Sequence, residues 1–199
     1  MNSRERFLKA ISKEENPDRP PVFATLTPQI AEKLSEAMGI GYEQPVDSMH
    51  SARISHPKLL TRLGNDCVAI SQCSPENAPT TKDKNGIITN EWGMKFKSFG
   101  LYDELCEFPL SHAESVEDIE NYPFPDPDAQ GRFNYAKSII NSYGSDYGII
   151  GDLEVSIFET SWYLVGLEKF LMDLIMEKPY VFVLMAKVME INTQMGKRL

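Results

Sequence analysis

Three carboxylates crowd one short stretch, "IIGDLEVSIFE" at residues 149–159, where Asp152, Glu154 and Glu159 follow an apolar run. Carboxylates so placed can contact a cationic ligand. Residues two apart on an extended strand point to the same side. Asp152 and Glu154 therefore face one way if strand geometry persists through 154. Glu159 falls instead in the first turn of the following helix, where the helix dipole favours an acid. The alternative is a pair of solvated loop carboxylates, or ion pairs to neighbouring strands. A second group follows another apolar run, "DCVAISQCS" at 66–74, which Gln72 and Cys73 leave together. The alternative for Cys73 is a helix cap or a thiol packed as a small hydrophobe. Asp152, Glu154 and Gln72 are the candidate substrate-binding residues, and no catalytic residue is assigned. Cys67 lies inside the apolar run and reads as core, and Cys106 in "ELCEF" reads as structural. His50 and His56 are six apart, which is no helical ligand spacing, and read as surface or capping residues. Trp92, Phe96, Trp162 and Tyr163 either shape a pocket or pack.

The elements that must position these residues follow from local signals. "NSRERFLKAI" predicts a short helix capped by Asn2 or Ser3, with Phe7, Leu8 and Ile11 on one face. Prolines 17, 20 and 21 then force extended backbone, and Val22, Phe23 and Ala24 read as a short buried strand. Thr27, Pro28 and Gly39 bracket a helix whose apolar face is Ile30, Leu34, Ala37 and Met38. Pro45 to Ser55 and His56 to Leu63 look helical, and 66–71 is a buried strand. "GIITNEWGMKFKSF" (86–99) predicts a hairpin turning at Asn90 to Gly93. Helices are expected at 113–120 and 133–144. A strand through Ile149 and Ile150 leads to one helix over "ETSWYLVGLEKFLMDLIME", with Leu167, Phe170, Leu171, Leu174 and Ile175 at helical spacing. The last helix starts at Pro179, with Leu184, Val188, Ile191 and Met195 on one face. Asp18 and Arg19 read as an ion pair tying the first helix to the first strand.

Strands alternate with helices, and the strand cores are apolar on both faces, which is the pattern of a parallel sheet covered by helices. In a parallel barrel, chemistry sits at the C-terminal ends of the strands, where Gln72, Asp152 and Glu154 fall. Only about three such strands can be counted, whereas a closed barrel takes roughly 250 residues. The expected fold class is α/β: the N-terminal part of a (β/α)8 TIM barrel, incomplete, as one partial domain over 1–199. An extra N-terminal helix occupies 1–16 and a β-hairpin insertion 86–99. The amphipathic pattern still running at "INTQMGKRL" adds the expectation of a front portion of a larger domain.

Several stretches together resemble the uroporphyrinogen decarboxylase superfamily. They are "SRERFLKAISKEENPDRPPVF", "RLGNDCVAI", "NEWGMKFK", "FPLSHAESVEDIENYPFPDPDAQGR" and "VGLEKFLMDLIMEKPYVFVLM", in order along essentially the whole chain. The superfamily also holds cobalamin-dependent methyltransferases that act on methylated corrinoid proteins or thiols. The resemblance implies a barrel with "RERFLKAI" across its base and "PPVFA" as its first strand. It departs from the decarboxylases at two places. Their arginine-rich stretch after the first strand, like M-R-Q-A-G-R, is matched here by "ATLTPQIAEKL", which has no arginine. Their aspartate after the second strand, in a segment like F-S-D, is matched by "ISQCS". A polyanionic tetrapyrrole needs cationic partners, so the resemblance implies the methyltransferase branch. There zinc binds a thiol and lowers its pKa, and a methyl group passes between that thiol and a corrinoid. Zinc and a corrinoid (cobalamin) are the cofactors so implied. A small-molecule methyl donor or acceptor and a corrinoid protein are the partners. The family's zinc ligands look like H-x-C with a later Cys. His50, His56 and His112 are followed at +2 by Ala52, Lys58 and Glu114, so this chain alone is expected to bind no metal, the motif falling beyond Leu199. The alternatives are a uroporphyrinogen decarboxylase of tetrapyrrole (porphyrin and haem) biosynthesis, and an inactive truncated fragment.

Composition narrows the remaining classes. Hydrophobic residues make up 42% and charged residues 25% of the 199, enough for a sizeable core. A net charge of -9 without a Lys/Arg cluster argues against nucleic acid. No apolar run of about 18 residues predicts a membrane span, and "MNSRERFLKA" lacks the apolar centre of a signal peptide. Three cysteines without a C-x-x-C pair fit a reducing, cytoplasmic setting.

Overall fold

Asn2 starts the first helix as its residue type predicts. In the computed structural model, which describes residues 1–13, 15–46, 52–100, 103–154 and 156–199, the Asn2 side chain accepts the Glu5 N–H at 2.8 Å. The Glu5 carboxylate accepts the Asn2 N–H at 3.0 Å, closing a capping box on α1 (Ser3–Ser12). Helix α2 (Pro28–Ala37) opens on proline and is followed by left-handed Gly39, and α3 (Pro57–Arg62) also opens on proline. Strand β1 (Cys67–Ile70) is buried at every residue. Four short strands follow: β2 (Thr81–Lys82), β3 (Ile87–Thr89), β4 (Lys95–Ser98) and β5 (Asp103–Glu107). Then come α4 (Val116–Glu120), capped by Ser115, α5 (Asn134–Tyr143), β6 (Gly148–Gly151), α6 (Ile157–Val165), α7 (Leu167–Ile175) and α8 (Pro179–Arg198). The fold is mixed α/β with parallel and antiparallel pairing, and among the described residues no sheet closes into a barrel. No helix among them is long and apolar enough to cross a membrane.

The chain divides into two compact units. The first is Met1–Cys73 with Phe133–Glu154 and Leu199; the second is Ser74–Arg132 with Val155–Arg198.

In the first unit β1 and β6 pair in parallel, from Cys67↔Gly148 to Ile70↔Gly151. A parallel pair needs a crossover, and α5 supplies it, laying Ala136 and Ile139 on Val68 and Ile70 to form a buried cluster. Helix α1 lies at the opposite end from the residues of interest. The Arg4 N–H donates to the Asp146 carbonyl at 2.8 Å, just before β6. A Cβ at Gly148 would fall 2.5 Å from the Phe7 ring and 3.0 Å from the Cys67 sulfur, so this position has no room for a side chain. Asp66, just before β1, is 1% exposed and accepts from Arg6 (2.6 Å), Arg19 (2.7 and 3.1 Å) and the Val22 N–H (2.7 Å). Burial pushes the Asp66 carboxyl up, but Arg19, the Val22 N–H, Ser3 and Arg6 outweigh it and hold it well below the usual carboxylate range. Arg6 also grips Asp18 at 2.7 Å, which lowers that carboxyl to about 2. The expected Asp18–Arg19 pair is thus shared out: each residue reaches a different partner.

The expected strand at Val22–Ala24 is not formed. Pro20 and Pro21 have no N–H to give a ladder, and the side chains of Asn65 and Asp66 take over. Val22 and Ala24 bond to them and to the Asp66 N–H, while Val22 and Phe23 stay 47% and 43% exposed. Residues 45–46 and 52–55 of the expected Pro45–Ser55 helix are not helical, and 47–51 lie outside the described residues. Helix α2 buries Ala31 and Ser35 instead of Ile30 and Met38.

In the second unit β2–β3–β4–β5 form an antiparallel sheet in that order, so the hairpin expected at 86–99 gains a strand on each side. The Asn90 side chain accepts the N–H groups of Trp92 and Met94, and Gly93 takes the left-handed position (φ 72°) of the turn. Trp92 and Met94 are fully buried, and Arg132, itself fully buried, forks onto Glu91 at 2.5 and 2.6 Å. The single helix expected over 159–177 breaks at Gly166 (φ 97°) into α6 and α7. Phe170 is buried, but Leu167, Leu171 and Ile175 of the same spacing are exposed. Helix α8 buries Leu184, Val188, Ile191 and Met195 as their spacing predicts. At the α7–α8 corner the Asp173 carboxylate accepts from Lys169 (2.6 Å), Lys178 (2.9 Å) and the Tyr180 hydroxyl. Burial opposes this, yet the two lysines and Tyr180 hold its pKa at about 2.

Candidate functional site

Parallel pairing of β1 and β6 sends Ser71–Gln72 and Asp152–Glu154 out of the same, C-terminal end of the two strands. The ladder runs one step further, with the Asp152 N–H on the Ile70 carbonyl at 2.8 Å. Extended geometry then stops. The Asp152 carboxylate accepts the Glu154 N–H at 2.7 Å, and Glu154 turns into the left-handed region at φ 70°. Buried side chains from the β1 end hold this turn. The Ser71 hydroxyl donates to the Asp152 carbonyl, and the Gln72 amide to the Leu153 carbonyl at 3.4 Å. The Gln72 Oε1 lies 3.2 Å from the same Ser71 hydroxyl as a second acceptor for its one proton. The structure therefore brings the three sequence-predicted residues together, though Gln72 meets the turn's backbone.

Strand alternation alone would aim the two carboxylates to one side; here a cation gathers them. Arg53 Nε lies 3.8 Å from both the Asp152 Oδ2 and the Glu154 Oε1, and its Nη2 donates to the Glu154 carbonyl at 3.0 Å. The Glu154 side chain is only 4% exposed, against 46% for Arg53. Among the described residues these ion pairs join one guanidinium to two carboxylates. Sequence reading missed Arg53, and no local signal marks it, because 101 positions separate it from Glu154.

The backbone behind Arg53 is firmly seated. Ile54, Ser55 and His56 are all buried. The Ile54 carbonyl accepts the Tyr135 hydroxyl at 2.9 Å, and Ser55 bonds both polar backbone atoms of Val46. His56 stacks on Tyr42 with ring centroids 5.5 Å apart, and its φ is 63°. Neither of its ring nitrogens makes a well-formed hydrogen bond among the described residues. Burial pushes its pKa down, and the backbone and charge of Glu43 pull the other way. Glu43 in turn accepts the Lys58 N–H at 3.0 Å and the Leu59 N–H at 3.4 Å, capping α3 from outside.

The remaining sequence candidates sit apart from one another in chemistry. Cys67 is core, its thiol pushed up to about 11 by burial and the Asp66 charge, whereas Cys106 is exposed and Cys73 half-buried. His112 is exposed, and His50 lies outside the described residues. Glu159, Trp92, Phe96, Trp162 and Tyr163 belong to the second unit. Glu159 stands in the first turn of α6 as expected and accepts the Tyr163 hydroxyl at 3.1 Å. Trp162 and Tyr163 pack edge to face at 4.2 Å, and Trp92 packs edge-on to Phe124. Among the described residues no three His, Cys, Asp or Glu gather where they could hold a metal ion.

No known family, curated protein or solved structure matches the chain.

Proposed function

We propose that the chain is the front portion of a (β/α)8 barrel of the uroporphyrinogen decarboxylase superfamily, on its corrinoid-dependent methyltransferase branch. The observation that carries this reading is the polar group at the C-terminal ends of two parallel strands joined through a helix, the position where such barrels keep their chemistry. Two further points favour it. The stretches "NEWGMKFK" and "FPDPDAQGR", both part of the resemblance, are tied by the Arg132–Glu91 fork. Helix α1, the expected cover of the barrel base, lies at the N-terminal ends of β1 and β6.

In this reading Asp152 and Glu154 orient the methyl donor or acceptor, and Gln72 with Ser71 fixes the turn that presents them. The family's zinc ligands lie, in this reading, outside the described residues. The decarboxylase alternative is disfavoured by charge. Arg53 does stand at these strand ends, but it is turned onto the Asp152 and Glu154 carboxylates, and "ATLTPQIAEKL" supplies no arginine for a substrate carrying many carboxylates.

The test uses the natural gene product with zinc, methylcobalamin and a panel of thiols, with methylated thiol read by mass spectrometry. Methyl transfer that drops in Asp152→Asn and Glu154→Gln is the expected result. Conversion of uroporphyrinogen, with no thiol methylated, would replace this reading by the decarboxylase one. Neither activity would leave the inactive-fragment alternative standing.

A further inference from the structure

We propose that Arg53 is the positioning residue of the Asp152–Glu154 group: it fixes the two carboxylates and the left-handed turn between them for whatever ligand the strand ends take. The inference rests on the reading of those strand ends as the site. Its grounds are geometric. An arginine that is half exposed ordinarily samples many rotamers, and ordering it costs entropy. Arg53 instead springs from a backbone immobilised by three independent contacts at the next three residues: Ile54 by Tyr135, Ser55 by Val46, and His56 by its stack on Tyr42. All three are buried, so the Arg53 side chain departs from backbone held by two other segments.

The contacts that Arg53 makes suit this role. Nη2 reaches the Glu154 carbonyl, and Nε sits equidistant from the two carboxylates. A planar fork holds a backbone acceptor and side-chain acceptors in one fixed relative geometry, which the freely rotating ammonium of a lysine does not impose. Without it, Asp152 and Glu154 repel each other across the turn. The left-handed backbone of Glu154 then loses the guanidinium bond to its carbonyl, while the Asp152 carboxylate still accepts its N–H and Ser71 and Gln72 still hold the two preceding carbonyls. The role belongs to Arg53 acting through the carboxylates, not to contact with reacting atoms.

The experiment compares the natural gene product with Arg53→Ala and Arg53→Lys, with and without added ethylguanidinium. Two readouts are taken. Hydrogen exchange at the Glu154 amide reports the turn directly, and thiol methylation reports the function. Arg53→Ala should speed exchange at Glu154 about tenfold or more, the range of a local opening that loses one charge-assisted contact. Arg53→Lys should recover only part of the protection. Ethylguanidinium should restore protection and kcat in Arg53→Ala, with far-UV circular dichroism unchanged throughout. An arginine that only stabilised the fold would raise exchange throughout β1 and β6 rather than at Glu154. Unchanged exchange at Glu154 in Arg53→Ala, or faster exchange that ethylguanidinium does not slow, overturns the proposal. A wild-type protein without methyl transfer counts against the functional reading alone, because the exchange readout still decides the role of Arg53.

Discussion

Replacing Asp66 by Asn isolates the interaction that ties the N-terminal helix to the strand pair. The carboxylate is 1% exposed and meets two arginines and one backbone N–H. Asn keeps the shape and one acceptor but removes the charge, so two guanidinium groups lose their shared counter-ion. Breaking a buried pair from one side costs about 3 to 5 kcal/mol. Asp18 remains on Arg6, and Arg19 is 45% exposed and can rehydrate. The lower end, about 3 kcal/mol, is therefore expected, which is roughly a 150-fold change in the unfolding equilibrium. At urea m-values of about 1–3 kcal/mol/M this moves the midpoint down by about 1 to 3 M. Both tryptophans, Trp92 and Trp162, lie in the second unit, so fluorescence does not report the first. Hydrogen exchange at Val68–Ile70 is the direct readout there, alongside far-UV circular dichroism in urea. The pH dependence has a definite sign. The folded carboxyl is depressed, so its stabilisation is fully present above the unfolded pKa of about 3.9 and is lost as pH falls through the folded value. The gap between wild type and Asp66→Asn should close in strong acid. The control is Asp18→Asn, which removes a half-exposed carboxylate and leaves both arginines on Asp66. If the Asp66 variant loses less than about 1 kcal/mol, or no more than the Asp18 variant, the account of a buried charge cluster is wrong.

Two other outcomes are expected. Arg132→Met strands Glu91 in a buried turn and should cost about 3 to 5 kcal/mol, read by tryptophan fluorescence next to the break; Arg132→Met with Glu91→Leu should recover most of that loss, and failure to recover it would count against the fork as the cause. His56 has a folded pKa below its ordinary value, so stability should fall as pH drops from about 6.5 toward the folded pKa and level off below it. His56→Phe, which keeps the stack on Tyr42, should flatten that slope; an unchanged slope would assign it to other groups.

Asp152 and Glu154 were legible because their place at a strand's end follows from local pattern alone. Gln72 was legible for the same reason, although its amide proves to serve the neighbouring turn. The bracket of Pro28 and Gly39 around α2 and the apolar run of β1 were equally local. What escaped was decided by partners distant in sequence. Arg53 and Asp66 each look like ordinary surface charges in their own segments, and only the β1–β6 pairing gives them their roles. Val22–Ala24 has strand composition, but the absent N–H groups of two prolines and the side chains of Asn65 and Asp66 turned it into a strand-like loop. The break at Gly166 was missed because one glycine in a helical pattern is tolerated as often as it hinges, and its positive φ cannot be read from its name.

Strand β1 and the end of β6 are far apart in synthesis as well as in sequence: Ser71 and the Asp152 it binds are 81 positions apart. A ribosome adding about 5–20 residues per second takes about 4 to 16 seconds to cover that distance. For most of that interval the nascent chain carries "CVAI" with neither its partner strand nor the α5 face that covers Val68 and Ile70. The same discontinuity that places Gln72 beside Leu153 thus opens a timed window in which an apolar strand edge is available to chaperones or to other nascent chains. Slower translation of residues 74–132 should lengthen that window and lower the yield of folded protein.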